Sequence, residues 1–458
     1  MKIKNLTLFI AILFSMASCR KDVFLTDSSV KLSFSEDTLT FDTVFTAIGS
    51  ATRYFKIYNR ENKKIKISDI KLAGGVDSHF RINVDGIPGI EAKDVEIAAN
   101  DSLYIFAAVT VDPNNDANPF VIEDSILFNT NGNNQKVILN AWGQNAHFYY
   151  DSIITADQHW INDLPYVIIN SMLIDTNVTV TIDPGCQIYN HPRSYILVAG
   201  TLIVNGTKDD TVFFRGDRLE NYFQDLPGQW GGIIFGVESY NSIIKYSTIQ
   251  DADIGIWADD KDLTANTKVT LEQVIIKNMT YVGLWGFLAT VKAQNLLVYN
   301  VGQNNCLQIT DGGNYQFDNC TFANYSSTVI NHQEPAVYLS NYYAEDNVIK
   351  DMKACNAIFN NCIIWGGLEQ ELSLDFIGTA VANATFNSCC VKTDSVIIEN
   401  NPVNQDPLFI NYSENNYQLS SGSPCINTGM TPVTLTVDIT GYDRNLSLPF
   451  DIGAYEKH

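Results

Sequence analysis

From about Val30 to Gly143 apolar and polar residues alternate over short runs. They are Leu39-Thr40-Phe41, Tyr54-Phe55-Lys56-Ile57-Tyr58, Ile65-Lys66-Ile67, Leu103-Tyr104-Ile105-Phe106, Ile126-Leu127-Phe128 and Val137-Ile138-Leu139. A period of two marks strands with one buried face. Gly74-Gly75, Asp112-Pro113-Asn114-Asn115 and Asn131-Gly132 separate the runs as turns. The pattern predicts a β-sandwich over residues 30–145, with seven strands in an immunoglobulin-like layout.

After a bridging segment around Ala146 to Trp160 the pattern becomes a repeat with a period in the twenties, the mark of a solenoid. Six segments of six residues each align: Ile244–Ile249, Leu271–Ile276, Ala293–Val298, Phe317–Phe322, Phe359–Ile364 and Phe386–Val391. Their first residues are 27, 22, 24, 42 and 27 apart, so the fourth interval holds either an extra turn or an insertion around Asn331 to Lys353. In each, the fourth and sixth residues point one way and the fifth the other. Coiling such strands stacks each on its equivalent and buries a continuous inward ladder. Asn295, Asn319 and Asn361 precede the ladder, and Asn278, Asn300 and Asn324 follow the strands. Asparagine tolerates the left-handed backbone of a tight bend. About twelve turns between Trp160 and Tyr417 would make a rod of roughly 55 Å.

Several stretches resemble known families. The phrases Phe55–Asn59, Phe80–Ile82 and Asn140–Gly143 resemble immunoglobulin-like modules of the ASPM/hydin type, which implies a spacer and no catalytic residue. Leu202–Phe214, Gly228–Ile233 and the Asn-Cys ladder resemble right-handed parallel β-helix proteins of the pectate-lyase-like class. Asp406–Phe409, Tyr417–Leu419, Ser423–Gly429, Asp438, Gly441, Arg444 and Asp451–Glu456 resemble the ending of choice-of-anchor Q proteins. The fold class expected is therefore all-β, a sandwich followed by a parallel β-helix over 146–458 with a C-terminal cap.

The start of the chain carries an address. Lys2 and Lys4, an apolar stretch from Leu6 to Phe14, and Met16-Ala17-Ser18-Cys19 form an export signal ending at a cysteine. It resembles a bacterial lipobox, which implies removal of residues 1–18, lipidation of Cys19, a tether over 19–29 and attachment to a membrane. Arg20 after the cysteine favours the outer membrane.

Composition narrows the partners. Against 29 Lys plus Arg stand 51 Asp plus Glu, a net charge of -22 that repels phosphate backbones, so nucleic acid is a poor partner. The 46 Asn and 28 Gly favour turns over long helices. Cys320, Cys362 and Cys389 share one ladder place and read as small apolar residues rather than metal ligands.

Four sets of residues are candidates for function. Asp438, Arg444, Asp451 and Glu456 place one guanidinium among three carboxylates, read as a structural cap that fastens the last coil and closes its apolar end. Asp251, Asp253, Asp259 and Asp260 form an acidic run in which Asp251 and Asp253 project from one strand face; it reads as a solvated turn or a calcium site. Lyase-like chemistry would use Arg215 or Arg218 beside Asp251 and Asp253, with His191 nearby, although the galacturonase-like phrases are missing. Trp230, Trp257, Trp285 and Trp365, with Tyr342 and Tyr343 in the insertion, are candidates for stacking on sugar rings. The expected function is that of a membrane-anchored protein binding glycan or another extended partner through the β-helix. The alternatives are a polysaccharide lyase or glycoside hydrolase, and a structural or adhesive protein. The sequence names no cofactor other than possible calcium, and no assembly partner.

Overall fold

The computed structural model describes residues 24–457 apart from 47, 113–119, 265, 347, 395–401, 432–434 and 447; the leader, 1–18, and Cys19 lie outside the described residues. The described chain is all-β and divides into two compact units, Met1–Asn145 and Ala146–His458.

In the first unit two five-stranded sheets enclose one core. One sheet orders the strands Ser33–Phe34, Arg53–Asn59, Asp101–Val109, Phe80–Val84 and Ile87–Gly89. The other orders Thr38–Phe45, Asn133–Gln144, Phe120–Thr130, Ile65–Leu72 and Glu91–Ile97. Inward residues such as Phe41, Phe55, Ile57, Ile105, Phe128 and Leu139 meet between them. Among the described residues there are ten strands rather than the expected seven. Those without a sequence signal include Ser33–Phe34, Ile87–Gly89 and Glu91–Ile97, all at sheet edges, where few side chains face the core and little apolar pattern is needed.

In the second unit 23 strands pair in one continuous parallel sheet, consistent with a β-helix. The six aligned segments stack as expected: Ile244, Leu271, Ala293, Phe317, Phe359 and Phe386 are successive partners. Their sixth places form part of a longer column, His147, Tyr166, Ile188, Phe214, Ile249, Ile276, Val298, Phe322, Ile364 and Val391. That column is ten strands deep among the described residues, shorter than the expected twelve turns. It begins at His147, within the supposed bridging segment.

The fourth-place residues Val274, Leu296, Cys320, Cys362 and Cys389 are all fully buried in the inner core. Phe359 stacks between Phe317 and Phe386 at 5.0 and 4.9 Å. Because Phe317 pairs directly with Phe359, the interval of 42 is an insertion and not an extra turn. Part of it folds as a hairpin, Tyr342–Glu345 against Val348–Met352. Asn278, Asn295, Asn300, Asn319 and Asn361 take the left-handed backbone expected at bends. Asn324 does not; its amide instead brackets Val301, accepting from the N–H and donating to the carbonyl at 2.9 Å each.

The C-terminal segment corrects one expectation. Asp438, Arg444, Asp451 and Glu456 do come together, but on the flank of the coil rather than over its end. Their segment covers the outward fifth places: Ile275 and Leu297 pack with Tyr417, Ile439 and Ala454, while Ile363 and Cys390 pack with Leu419, Cys425 and Ile452. The bend asparagines hold it. Asn295 donates to Val437 O at 2.8 Å and accepts from Arg444 at 2.9 Å. Asn319 donates to Asp451 O, and Asn361 both donates to and accepts from the Met430 backbone at 2.7 Å. Arg444 meets Glu456 at 2.8 Å with both side chains fully buried. Gly453 has a φ of +102°, and a Cβ there would lie 2.6 Å from Ile363. The outward face of the ladder is thus dry because a strap lies over it.

Candidate ligand-binding face

A different sheet of the coil is left open to solvent. It contains Tyr195–Val198, Gly232–Phe235, Ile254–Asp259, Val282–Phe287, Leu307–Thr310, Val337–Ser340 and Leu372–Asp375. Alternation sends Ile233, Ile256, Leu284 and Leu307 into the core and leaves a half-buried outward column of Leu197, Ile234, Trp257, Trp285, Gln308, Tyr338 and Ser373. Parallel pairing in register places Trp257 directly on Trp285, their rings 4.8 Å apart and inclined by 13°. The two rings cover one face of each other, so Leu197, Ile234, Trp257 and Trp285 make an apolar ridge that passes into Gln308, Tyr338 and Ser373. Tyr281 leans on Trp285 at 6.3 Å. Trp285 donates to Thr310 Oγ1 at 3.2 Å, whereas the indole N–H of Trp257 has no partner among the described residues.

The inserted hairpin borders this face. Tyr343 meets the edge of Phe287 at 5.4 Å, and Tyr342 donates to Asp375 at 2.5 Å, with Tyr338 donating to the same oxygen at 3.0 Å. Beside the hairpin, Asp311 is 2% exposed and its Oδ1 has no hydrogen-bond partner among the described residues. Desolvation, with Asp351 adding to it against the opposing pull of Lys353, pushes its carboxyl up to about 6. Desolvation also raises Asp259 at the end of the tryptophan strand.

Of the expected sugar-stacking residues, Trp257, Trp285, Tyr342 and Tyr343 therefore share one region. Trp230 does not belong with them. It is fully buried in the coil, with its indole N–H given to Gln250 O at 2.8 Å. Trp365 is 6% exposed and packs beneath the strap, so it too is a packing residue.

The expected acidic and catalytic sets are largely committed elsewhere. Asp251 and Asp253 do not project from one strand face; they sit in the bend between Ser242–Gln250 and Ile254–Asp259, and Asp251 has a φ of +65°. Asp251 is 1% exposed and accepts from Gln250 at 2.7 Å and Asn278 at 2.9 Å. Asp260 is buried against Lys268 at 3.5 Å. Among the described residues no group of three or more His, Cys, Asp or Glu side chains is placed to hold a metal ion. Arg218 forks onto Glu220 at 2.9 and 3.1 Å and lies over Phe223. His191 pairs with Asp217 at 2.6 Å, which raises its pKa against the cost of burial.

One carboxylate that the sequence did not single out, Asp225, shares the Asn278 amide with Asp251 and bonds Lys277 at 2.9 Å. Desolvation raises the carboxyl of Asp251. That of Asp225 is lowered in spite of its own desolvation, by Lys277 and then Asn278. Divergent acidities suit an acid and a base, yet a glycosidase pair must both reach the sugar, and Asp251 does not reach the surface.

No protein-family model matches the chain, and no curated protein matches it. Among solved structures it is similar to the catalytic unit of a GH87 alpha-1,3-glucanase from Streptomyces thermodiastaticus, with 10% identity over 75% of this chain and 85% of that one, at a TM-score of 0.28. A family 123 glycoside hydrolase from Clostridium perfringens aligns with 9% identity over 29% of this chain and 30% of its own length, TM-score 0.20. An ASH/PapD-like domain of human CEP192 aligns with 7% identity over 28% of this chain and 92% of its own, TM-score 0.18. Likenesses this distant carry no argument about activity. The parallel register of the strands is what supports the coil.

The Trp257–Trp285 pair was within reach of the sequence, since both residues stand in short apolar strands of neighbouring repeats. Asp311 and Asp375 were not, because neither acidic residue stands out from its surroundings until the hairpin is folded against it.

Proposed function

We propose that this chain is a lipid-anchored outer-membrane protein that holds a glycan against the open sheet of a right-handed parallel β-helix. Cys19 would carry the lipid, and the N-terminal unit, an immunoglobulin-like sandwich, would serve as spacer. The observation that carries the reading is the outward ring column of Trp257 and Trp285, continuous with Gln308, Tyr338 and Asp375. An apolar ridge takes the C–H surfaces of a sugar polymer, while an amide, a phenol and a carboxylate beside it exchange hydrogen bonds with hydroxyls. Successive strands repeat at about 4.8 Å, so the column offers evenly spaced contacts along a chain-like ligand.

The lyase or hydrolase reading has less support. Arg218 is tied to Glu220, and Asp251 is enclosed. Affinity electrophoresis through gels containing neutral or acidic polysaccharides tests the binding reading. Retardation should fall at least tenfold in Trp257→Ala and Trp285→Ala, and a Cys19→Ala chain should leave the membrane fraction with its retardation unchanged. Retardation untouched by both tryptophan substitutions would refute the assignment of this face.

A further inference from the structure

The first unit carries aromatic residues where a solvated sheet face is ordinarily polar. On strand Arg53–Asn59 the inward residues Phe55 and Ile57 fill the core, and on Asp101–Val109 the inward Leu103, Ile105 and Ala107 do so. The outward residues opposite one another are Tyr54 with Phe106 and Lys56 with Tyr104. Tyr54 is 56% exposed, Tyr104 40% and Phe106 37%. The rings of Tyr104 and Phe106 lie 5.9 Å apart and within 17° of parallel. Tyr54 stands at 59° to one and 53° to the other. Cross-strand aromatic pairs do stabilise sheets. That role does not account for the notch beside them.

Because strand Ser33–Phe34 is only two residues long, the sheet edge next to Tyr54 is left open. The resulting hollow, about 410 Å³, is lined by Ser35, Glu36, Thr52, Arg53, Tyr54, Lys56 and Tyr58. Its size falls in the roughly 300–1,000 Å³ range of small-ligand sites. Its lining offers donors in Lys56 and Arg53, an acceptor in Glu36, and hydroxyls that do both in Ser35, Thr52 and Tyr58. Charge there nearly cancels: the lining holds Arg53, Lys56 and Glu36, Arg53 also faces Asp42 at 3.8 Å, and Lys56 lies over the Tyr104 ring. In a chain of net charge -22, a nearly neutral hollow that mixes donors and acceptors beside aromatic rings fits an uncharged polyhydroxylated ligand.

We infer that the Tyr54–Tyr104–Phe106 face and its adjoining hollow form a second saccharide-binding site, for a neutral sugar, independent of the tryptophan ridge on the coil. The sandwich then contributes affinity of its own, and the two sites on one chain raise avidity for a polymer that reaches both.

The test uses the full chain in affinity electrophoresis against amylopectin, mixed-linkage β-glucan, xylan and galactomannan, with polygalacturonate as the charged comparison. At least one neutral polymer should retard the chain. Tyr54→Ala and Tyr104→Ala should weaken that retardation at least tenfold, Lys56→Met and Arg53→Met about three- to tenfold, and melting temperatures should fall only slightly, because Tyr54, Lys56 and Tyr104 lie on the outward face and Arg53, on the parity of Phe55, is exposed at the start of its strand. Residual binding should persist in Trp257→Ala/Trp285→Ala, which separates this site from the ridge. The inference is overturned if no neutral polymer retards the chain or only polygalacturonate does, and equally if binding survives all four substitutions. A wild-type dimer that Tyr54→Ala dissociates would assign the face to a second copy and overturn it as well.

Discussion

Single side chains in this protein do their work by being placed where water is not. Asp311 shows the cost. It sits in a bend next to the inserted hairpin, its Oδ1 unpaired among the described residues and its carboxyl pushed up to about 6 by desolvation. A carboxyl whose pKa is higher folded than unfolded binds its proton more tightly in the native state. The contribution of Asp311 to stability is therefore fully present below about pH 4, is lost as pH rises toward 6, and stays absent above it. Replacing it by asparagine should raise the melting temperature at pH 7–8 and leave it nearly unchanged at pH 4, a gain of order 1 kcal/mol once solvent screening is discounted. Thermal melts across that range check it; equal shifts at both pH values would count against the account. Little of this was legible beforehand, because an isolated aspartate in Thr310-Asp311-Gly312 reads as an ordinary turn.

At the scale of elements, the inward ladder was the most legible feature. A strand that must bury its fourth and sixth residues in every winding repeats that demand from winding to winding, which is why Ile244 through Phe386 share one pattern and are partners. The strap was recognisable only as an ending that resembles choice-of-anchor Q proteins, not as a cover of the flank, since nothing repetitive in residues 409–456 announces which surface it lies on. Tryptophan was the least readable residue. Trp230 precedes the strand Gly232–Phe235, at an isolated bridge to Ala252, and fills the core, whereas Trp257 takes an outward place within Ile254–Asp259 and is half-buried; the sequence does not announce that difference. The cysteines behave as the ladder requires. Cys320, Cys362 and Cys389 give their thiols to backbone carbonyls at 3.3–3.7 Å. Desolvation, first of all, holds the thiol of Cys362 well above its ordinary range. A buried neutral thiol is a poor nucleophile. An aromatic disulfide reagent should accordingly modify none of the eight described cysteines in the native chain and all eight in denaturant; rapid native labelling of any of the three ladder cysteines would contradict the stacked core.

For the molecule as a whole, the two units have separate cores, one between the sheets of the sandwich and one inside the coil. Cores that share no residues can unfold independently. Trp142 is the one tryptophan of the first unit, and the other five belong to the second. A denaturant titration followed by tryptophan emission should show two transitions, and Trp142→Phe should remove the amplitude of just one. A single transition shared by emission and far-UV circular dichroism would show the cores to be coupled. The strap has a consequence of another kind. It is pegged at Asn295, Asn319 and Asn361 and lies across five successive windings, so the distance between its pegs is set in whole rungs. Duplicating or deleting a rung in that stretch would misalign every peg beyond it. Rungs can be gained or lost without disturbing the strap only ahead of Lys208, which lies against Gly441.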